Sequence, residues 1–379
     1  MNAKAWFALV LLVSRGCWGQ SNYNIPLESA NPSLALPSMT AGNGVLYVAY
    51  RSTTWLRRSD KLQVVAYDLN TRKELRHATI SVPAVRGARA ADGLYLSGDG
   101  RMLAYAEVHD PCVLLLISTK DLTELRRSTS LPFVHEGDEW SRYSCAELFA
   151  GFDNDGFLSF ALERRERTGI RFVRIDPVNL KVVSDVLADR LWQGQSESLV
   201  WSPAAKVTWL VNNSNVWQEF AENGQYMYEE SRGPEGETYG AVALGKGRLL
   251  AFFGRWDHGT AVSYQDHQQN DLNLPCAPSQ FGISNDPEYA GADCFVSHPT
   301  RRELWHETSA EFLLLKTYGP SVVWREKDIS LIDIAETDKH GHEYYQRGNP
   351  LIYRDGRKIY VVAVSKAPEL KVYVVPLPE

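Results

Sequence analysis

Gly98-Asp99-Gly100-Arg101-Met102-Leu103-Ala104-Tyr105 decides the fold of this chain. An Asp-Gly turn, which accepts the positive φ of a tight hairpin, runs straight into an apolar and aromatic strand. The phrase stands also at Gly42-Asn43-Gly44-Val45-Leu46-Tyr47, at Asn154-Asp155-Gly156-Phe157-Leu158-Ser159-Phe160 and at Arg354-Asp355-Gly356-Arg357-Lys358-Ile359-Tyr360. Weaker copies read Ser202-Pro203-Ala204-Ala205-Lys206-Val207-Thr208-Trp209, Gly245-Lys246-Gly247-Arg248-Leu249-Leu250 and His298-Pro299-Thr300-Arg301-Arg302-Glu303-Leu304-Trp305. Gly44, Gly100 and Gly156 are evenly spaced, at a period of about 50–60 residues. A hairpin turn recurring at that period predicts an all-β fold: a seven-bladed β-propeller of four-stranded antiparallel blades.

A second hairpin follows the first three turns. Asp68-Leu69-Asn70-Thr71-Arg72-Lys73-Glu74-Leu75, Ile117-Ser118-Thr119-Lys120-Asp121-Leu122-Thr123-Glu124-Leu125 and Asp176-Pro177-Val178-Asn179-Leu180-Lys181 flank polar turns with alternating apolar residues. With the strands of a blade called A to D, the first turn joins A to B and the second joins C to D. The last copy offers only three strands, over residues 350–353, 358–364 and 370–375. An open edge there would invite aggregation. Residues 23–28, with a Pro26 that suits an edge strand, are expected to close the last blade from the N-terminal side.

The order of Asp68 to Leu75 and then Ser97 to Tyr105 resembles the bacterial extracytoplasmic propellers of the YVTN and TolB-like type. Their repeats pair an Asp/Thr hairpin with a Ser-Pro-Asp-Gly turn. The resemblance spans residues 22–379 and is strongest over 40–190. It lapses at Ala204-Ala205 and Pro299-Thr300, and the signatures of eukaryotic WD40 repeats are absent. It implies a fold and no activity.

Lys4 precedes an apolar run from Ala5 to Val13, followed by small and polar residues. That is the layout of a secretory signal peptide, with cleavage expected after Gly19. Residues 20–379 are then one β-propeller domain, exported to the periplasm or the exterior. Ser14-Arg15-Gly16 before Cys17 is a poor lipidation match. No segment is apolar for long enough to span a membrane as a helix. Export permits disulfides, and the remaining cysteines suggest Cys112–Cys145 and Cys276–Cys294. A net charge of −6 gives no nucleic-acid signal. The excess of aromatics, with 11 Trp and 18 Tyr, is what strand-rich sheets favour.

In a propeller the A–B and C–D turns share one end, and the longer B–C and D–A connections share the other, where ligands are usually met. An acidic residue stands beside an aromatic at Glu139-Trp140, Glu237-Thr238-Tyr239, Glu288-Tyr289 and Glu343-Tyr344, while Glu197 stands alone. Two readings are open. These residues would ring the channel mouth with carboxylates and aromatic faces, suited to a cation, a sugar or a basic peptide. Alternatively they cap backbone amides and wedge blades apart, which repetition in successive blades favours. Arg51, Arg57, Arg58, Arg86, Arg89, Arg164, Arg165 and Arg167, with Trp55 among them, would make the mouth basic over the first three blades, and Arg255-Trp256-Asp257-His258 adds a mixed patch in the fifth; the alternative, which is favoured, is a solvated rim.

His340-Gly341-His342-Glu343 is the densest metal-like run, but a metal needs three or four converging ligands, and a polar surface loop is the expectation. No cofactor is expected. No G-x-S-x-G elbow, H-E-x-x-H or P-loop occurs. The sequence therefore points to a monomeric, non-catalytic module that binds a protein, peptide or glycan ligand. The alternative is a periplasmic enzyme or enzyme subunit of the lactonase or dehydrogenase heavy-chain kind.

Overall fold

A computed structural model describes residues 21–377 apart from 28–36, 55–56, 87–90, 109–112, 129–147, 164–169, 189–195, 203–206, 213–216, 222–225, 231–236, 246, 256–257, 266–267, 276, 284, 296–309, 328–335, 338–342, 345–349 and 365–368. All regular structure in it is β. After β1 (Ser21–Pro26), the strands β2 (Ser38–Gly42), β3 (Val45–Thr54), β4 (Arg57–Asp68) and β5 (Lys73–Ser81) pair in order, and β6 (Val85–Arg86) adds to β4. Five four-stranded antiparallel sheets follow. They are β7 (Ala91–Leu96) with β8 (Met102–Val108), β9 (Val113–Ser118) and β10 (Glu124–Ser128); β11 (Leu148–Phe152) with β12 (Leu158–Glu163), β13 (Ile170–Asp176) and β14 (Lys181–Ala188); and β15 (Ser196–Ser202) with β16 (Val207–Asn212), β17 (Trp217–Ala221) and β18 (Tyr226–Glu230). Then come β19 (Glu237–Gly245) with β20 (Arg248–Arg255), β21 (His258–Gln265) and β22 (Gln268–Leu274), and β23 (Ala277–Ile283) with β24 (Tyr289–Phe295), β25 (Ala310–Lys316) and β26 (Ser321–Lys327). A ribbon of β27 (Glu336–Thr337) and β28 (Glu343–Tyr344) precedes β29 (Leu351–Asp355), β30 (Lys358–Val364) and β31 (Glu369–Pro376). In this ribbon Glu336 pairs Tyr344 and Thr337 pairs Glu343, so Glu343, expected in a polar surface loop, lies on a strand, while His340 to His342 lie outside the described residues.

β1 joins the sheet of the last three strands. It lies antiparallel to β31, from Ser21 opposite Val374 to Pro26 opposite Glu369. The first strand of each meander packs against its neighbours: β2 on β7, β7 on β11, β11 on β15, β15 on β19, β19 on β23, and β29 on both β23 and β2. These strands are therefore the innermost ones of their sheets.

The tight turns form as their residues require. Asn43 (φ 52°) and Gly44 (φ 75°) both occupy the left-handed region between β2 and β3, the geometry of a two-residue hairpin. A Cβ on Gly44 would be strained by that φ. In the second hairpins the aspartates cap the turn. Asp68 Oδ1 accepts from the amides of Asn70 (2.8 Å) and Thr71 (2.7 Å), and these bonds hold its carboxyl below the usual range. Asp121 is lowered in the same way, first by the Thr123 hydroxyl.

The sixth repeat corrects the sequence reading. Its A–B turn is Asn285-Asp286-Pro287-Glu288, between β23 and β24. Asp286 Oδ1 accepts from Glu288 N at 2.9 Å, closing that turn. His298-Pro299-Thr300 falls instead in the connection from β24 to β25, outside the described residues.

Apolar residues fill the space between neighbouring sheets. One cluster spans the first and last sheets, with Ile25, Leu46, Val48, Val65, Val362 and Val372 all buried. Burial of each such side chain contributes about 1.5–3 kcal/mol. Gly291 on β24 allows close approach, since a Cβ there would lie 2.3 Å from Phe312 Cζ and 2.6 Å from Ile352 Cδ1 of the next sheet.

Candidate functional site

The expected binding end lies largely outside the described residues. Glu139, Trp140, Trp256, His340, His342, Cys112, Cys145 and Cys276 all lie there. Cys294 is on β24, with its backbone opposite Pro278. Glu197 lies near the start of β15, Glu237 and Tyr239 near the start of β19, and His258 begins β21, paired with Arg255. Glu343 and Tyr344 form β28. β15 and β19 are neighbouring innermost strands, so the fold brings the backbones of Glu197, Glu237 and Tyr239 to one end of adjacent sheets.

Glu288 and Tyr289 stand elsewhere, and their expected place before an innermost strand is corrected. Glu288 closes the β23–β24 turn, and Tyr289 opens β24, a second strand. They belong to a joint between the last two sheets. The Arg354 guanidinium, at the end of β29, pairs with Asp286 and with Glu288 Oε2 at 2.8 Å, and it lies 5.3 Å over the buried Tyr289 ring. Asn285 adds a backbone clamp. Its Oδ1 accepts from Arg354 N at 2.6 Å, and its Nδ2 donates to Arg354 O at 3.1 Å. Burial works against the Arg354 charge, but the bonds to Asp286 and Glu288 outweigh it and raise its pKa. The chemistry of this group is mutual satisfaction: the guanidinium meets two carboxylates and a ring face. Asn-Asp-Pro is a turn signal in its own right, and it would have located this joint from the sequence.

A similar correction applies to Arg51. It was grouped with the basic residues of the mouth, yet it sits on β3 with no side-chain exposure and pairs with Glu107 on β8 of the next sheet, also unexposed. Arg51 further donates to Ser59 O (2.8 Å, from Nε) and Pro83 O (2.7 Å), while Tyr105 Oη donates to Glu107 Oε2 at 3.1 Å. This is a sealed clamp between sheets. Arg57 and Arg86 pair across β4 and β6, and Arg164, Arg165 and Arg167 lie outside the described residues.

At the tight-turn end, several carboxylates bond within their own turn or across to a neighbouring sheet. In the third sheet Asp153, with its side chain buried, accepts from the amides of Asp155 (2.9 Å) and Phe157 (3.0 Å), from Ser159 Oγ (3.1 Å) and from Arg174 Nε (2.9 Å). Among the described residues no group of three or more His, Cys, Asp or Glu could hold a metal ion. Among the described residues there is no helix long and apolar enough to cross a membrane.

No family model matches the chain, and no curated protein matches it. Solved structures do. The β-propeller domain of Cps50 (Swd1) from Myceliophteria thermophila aligns with 94% of this chain and 100% of that one, at 12% identity and a TM-score of 0.54. Virginiamycin B lyase from Staphylococcus aureus aligns over 94% and 99%, at 13% identity and a TM-score of 0.55. Raptor from Chaetomium thermophilum aligns over 95% of this chain and 29% of that one, at 8% identity and a TM-score of 0.57. Identities this low speak for the fold alone, and one of these propellers is a lyase. With the repeated four-stranded sheets, these likenesses identify the chain as an all-β protein of β-propeller fold.

Proposed function

We propose that this chain is an exported, closed seven-bladed propeller that acts as a non-catalytic binding module through the end opposite its tight turns. The observation that carries the reading is the self-contained chemistry of the described tight turns. The turn end uses its carboxylates, guanidinium groups and amides on itself, as at Asp153–Arg174 and Asp286–Arg354. The strands that bound the long connections 129–147, 296–309 and 328–350 finish and begin at the other end, which is where a ligand is proposed to be met. The pairing of β1 with β31 and the succession of packed innermost strands support closure into one ring of seven blades. Membership of the YVTN and TolB-like propellers, location in the periplasm or exterior, the pairs Cys112–Cys145 and Cys276–Cys294, and a monomeric state belong to the same proposal.

The test uses the mature chain from Gln20, purified after secretion and presented to peptide and glycan arrays. Binding to one class, weakened at least tenfold by Glu237→Ala or Tyr239→Ala, is the expected result. The propeller fold also serves a lyase, so turnover of lactones and of quinone-linked alcohol substrates is assayed alongside. Turnover without array binding would replace the binding module with the enzyme reading.

A further inference from the structure

Each sheet ends outward in a strand with one described partner: β5, β10, β14, β18, β22, β26 and, in the last sheet, β1. Such an edge presents unpaired backbone N–H and C=O groups, and proteins guard it with charged side chains or with a bulge that twists it away. Both guards are in place around this molecule. The outer strands β5, β10, β14, β18, β22 and β26 each carry at least one charged residue, from Lys73 on β5 to Lys327 on β26. All of them except β22 also break register with the inner neighbour. β1 has neither guard. Ser21-Asn22-Tyr23-Asn24-Ile25-Pro26 bears no charge, and it runs opposite β31 from end to end without a shift. Pro26, its last residue, marks where the row of backbone donors stops.

The side chains of β1 stand in two rows, since successive residues point to opposite faces. Tyr23 and Ile25 turn to the first sheet. Ile25 is buried, Tyr23 Oη donates to Leu69 O, and the Arg72 guanidinium lies 4.7 Å over the Tyr23 ring. Asn22 and Asn24 form the other row, and both are exposed. Asn24 Nδ2 donates to Glu369 Oε1 at 3.1 Å, and Lys371, on the same strand as Glu369, lies 4.9 Å over the Tyr373 ring. A carboxylate and an ammonium side by side draw neither sign of charge. Across strands, amide side chains pair with hydroxyl or amide side chains, while the Tyr23 row suits a β-branched or aromatic residue. The occupant that matches is an extended, uncharged segment of about five or six residues, alternating Ser, Thr or Asn with Val, Ile or Tyr. A second copy of β1 fits less well. Antiparallel pairing about Tyr23 would set one Tyr23 opposite the other and bring two Arg72 cations onto one face.

We propose that the outer edge of β1 takes up such a segment from a partner protein, which adds to the last sheet as a fifth strand. Main-chain hydrogen bonds supply the affinity, and the two side-chain rows supply the selectivity. This rim site is separate from the end proposed above as the binding face. Its test is an array of immobilised, end-blocked heptapeptides that alternate Thr with Val, Ile or Tyr, beside sets in which Lys or Glu replaces Thr, all probed with the full mature chain. The uncharged set should bind, and the charged sets at least tenfold more weakly. In the best binder, N-methylation of alternate residues should abolish binding in one parity and be tolerated in the other, because a strand points alternate amides at its neighbour. Asn24→Lys supplies the missing guard and should weaken binding at least tenfold with Tm unchanged. Gln269→Lys on the outer strand β22, and Glu237→Ala, should each leave affinity within twofold. In the unaltered chain, hydrogen exchange of residues 21–25 should slow when the peptide is bound. No binding to any set, equal binding of both N-methylated forms, unchanged exchange in residues 21–25, or indifference to Asn24→Lys overturns the proposal. Binding lost with Glu237→Ala and kept with Asn24→Lys overturns it too, and supports the face opposite the tight turns. A dimer of the unliganded chain that Asn24→Lys dissolves overturns the partner and makes β1 an interface between copies.

Discussion

Arg51 and Glu107 hold opposite full charges where neither side chain touches solvent. Isolated charges in such a place cost several kcal/mol each, so the pair persists through its geometry and through the carbonyls of Ser59 and Pro83 and the Tyr105 hydroxyl that complete it. Because the partners come from neighbouring sheets, the pair sets how those sheets sit together. Glu107→Gln keeps the shape and removes the neutralising charge. It should lower stability by about 3–5 kcal/mol, whereas Arg51→Met combined with Glu107→Leu should cost less than that single change. Denaturant unfolding measures both. A loss below about 1 kcal/mol for Glu107→Gln would show that the buried charge is accommodated without its partner. Arg51 also marks where the sequence was silent. An arginine near the end of a strand reads as a solvated rim, and nothing local reveals a carboxylate a whole repeat away.

At the scale of elements, the joint between the first and last sheets is built from tyrosines. Tyr353 Oη on β29 accepts from Gly44 N at 3.0 Å, and Tyr360 Oη on β30 donates to Asn70 Oδ1 at 3.0 Å. Tyr23 Oη on β1 donates to Leu69 O at 3.0 Å, and Tyr67 Oη on β4 donates to Pro26 O at 3.1 Å. Burial, the neighbouring Tyr360 and Asp68 push the Tyr23 phenol up to about 12, against the opposing Arg72. Tyr353 and Tyr360 are raised as well, chiefly by burial. The folded chain therefore binds these protons more tightly than the unfolded chain, whose phenols titrate near 10. The stabilisation is intact below about pH 10 and is lost as pH rises through about 12. Tyr23→Phe should lower Tm modestly at pH 8 and make its decline between pH 10 and 12 shallower. An unchanged pH slope would remove Tyr23 from this linkage. The hairpins at this joint were legible in the sequence, because Asn43-Gly44 and Asp355-Gly356 carry their own φ preference: Gly44 and Gly356 both have positive φ. The sixth turn was not, since Asn285-Asp286-Pro287-Glu288 reaches its shape by a side-chain cap without glycine, and Pro299-Thr300 offered a closer imitation of the repeat. Glu288 and Tyr289 were misplaced for the same reason. Glu197 and Tyr239 are singled out by residue type, while the neighbouring of their strands, β15 and β19, depends on how sheets pack, which no single strand encodes.

At the scale of the whole molecule, the two ends of the described chain share one sheet, and stability there depends on β1. Its Ile25 is buried in the cluster between the first and last sheets, as is Leu27 just beyond it. Each contributes about 1.5–3 kcal/mol by burial. Without β1, the inward row Leu370, Val372 and Val374 of β31 would border an unpaired edge, the arrangement most prone to pairing with another chain. A chain beginning at residue 28 should therefore lose Tm by roughly 10 °C or more, given about 2–4 °C per kcal/mol for domains approaching this size. It should also elute as dimers or larger species, because β31 of one copy can pair with an edge of another. A synthetic peptide of residues 20–28 added in trans should restore the monomer, and Ile25→Asp in that peptide should abolish the rescue by burying a charge in the shared cluster. Size-exclusion chromatography with light scattering reads all three. If the shortened chain stays monomeric with the Tm of the full one, β1 is an ornament on the last sheet and the molecule holds its ends together through β29 and β2 alone.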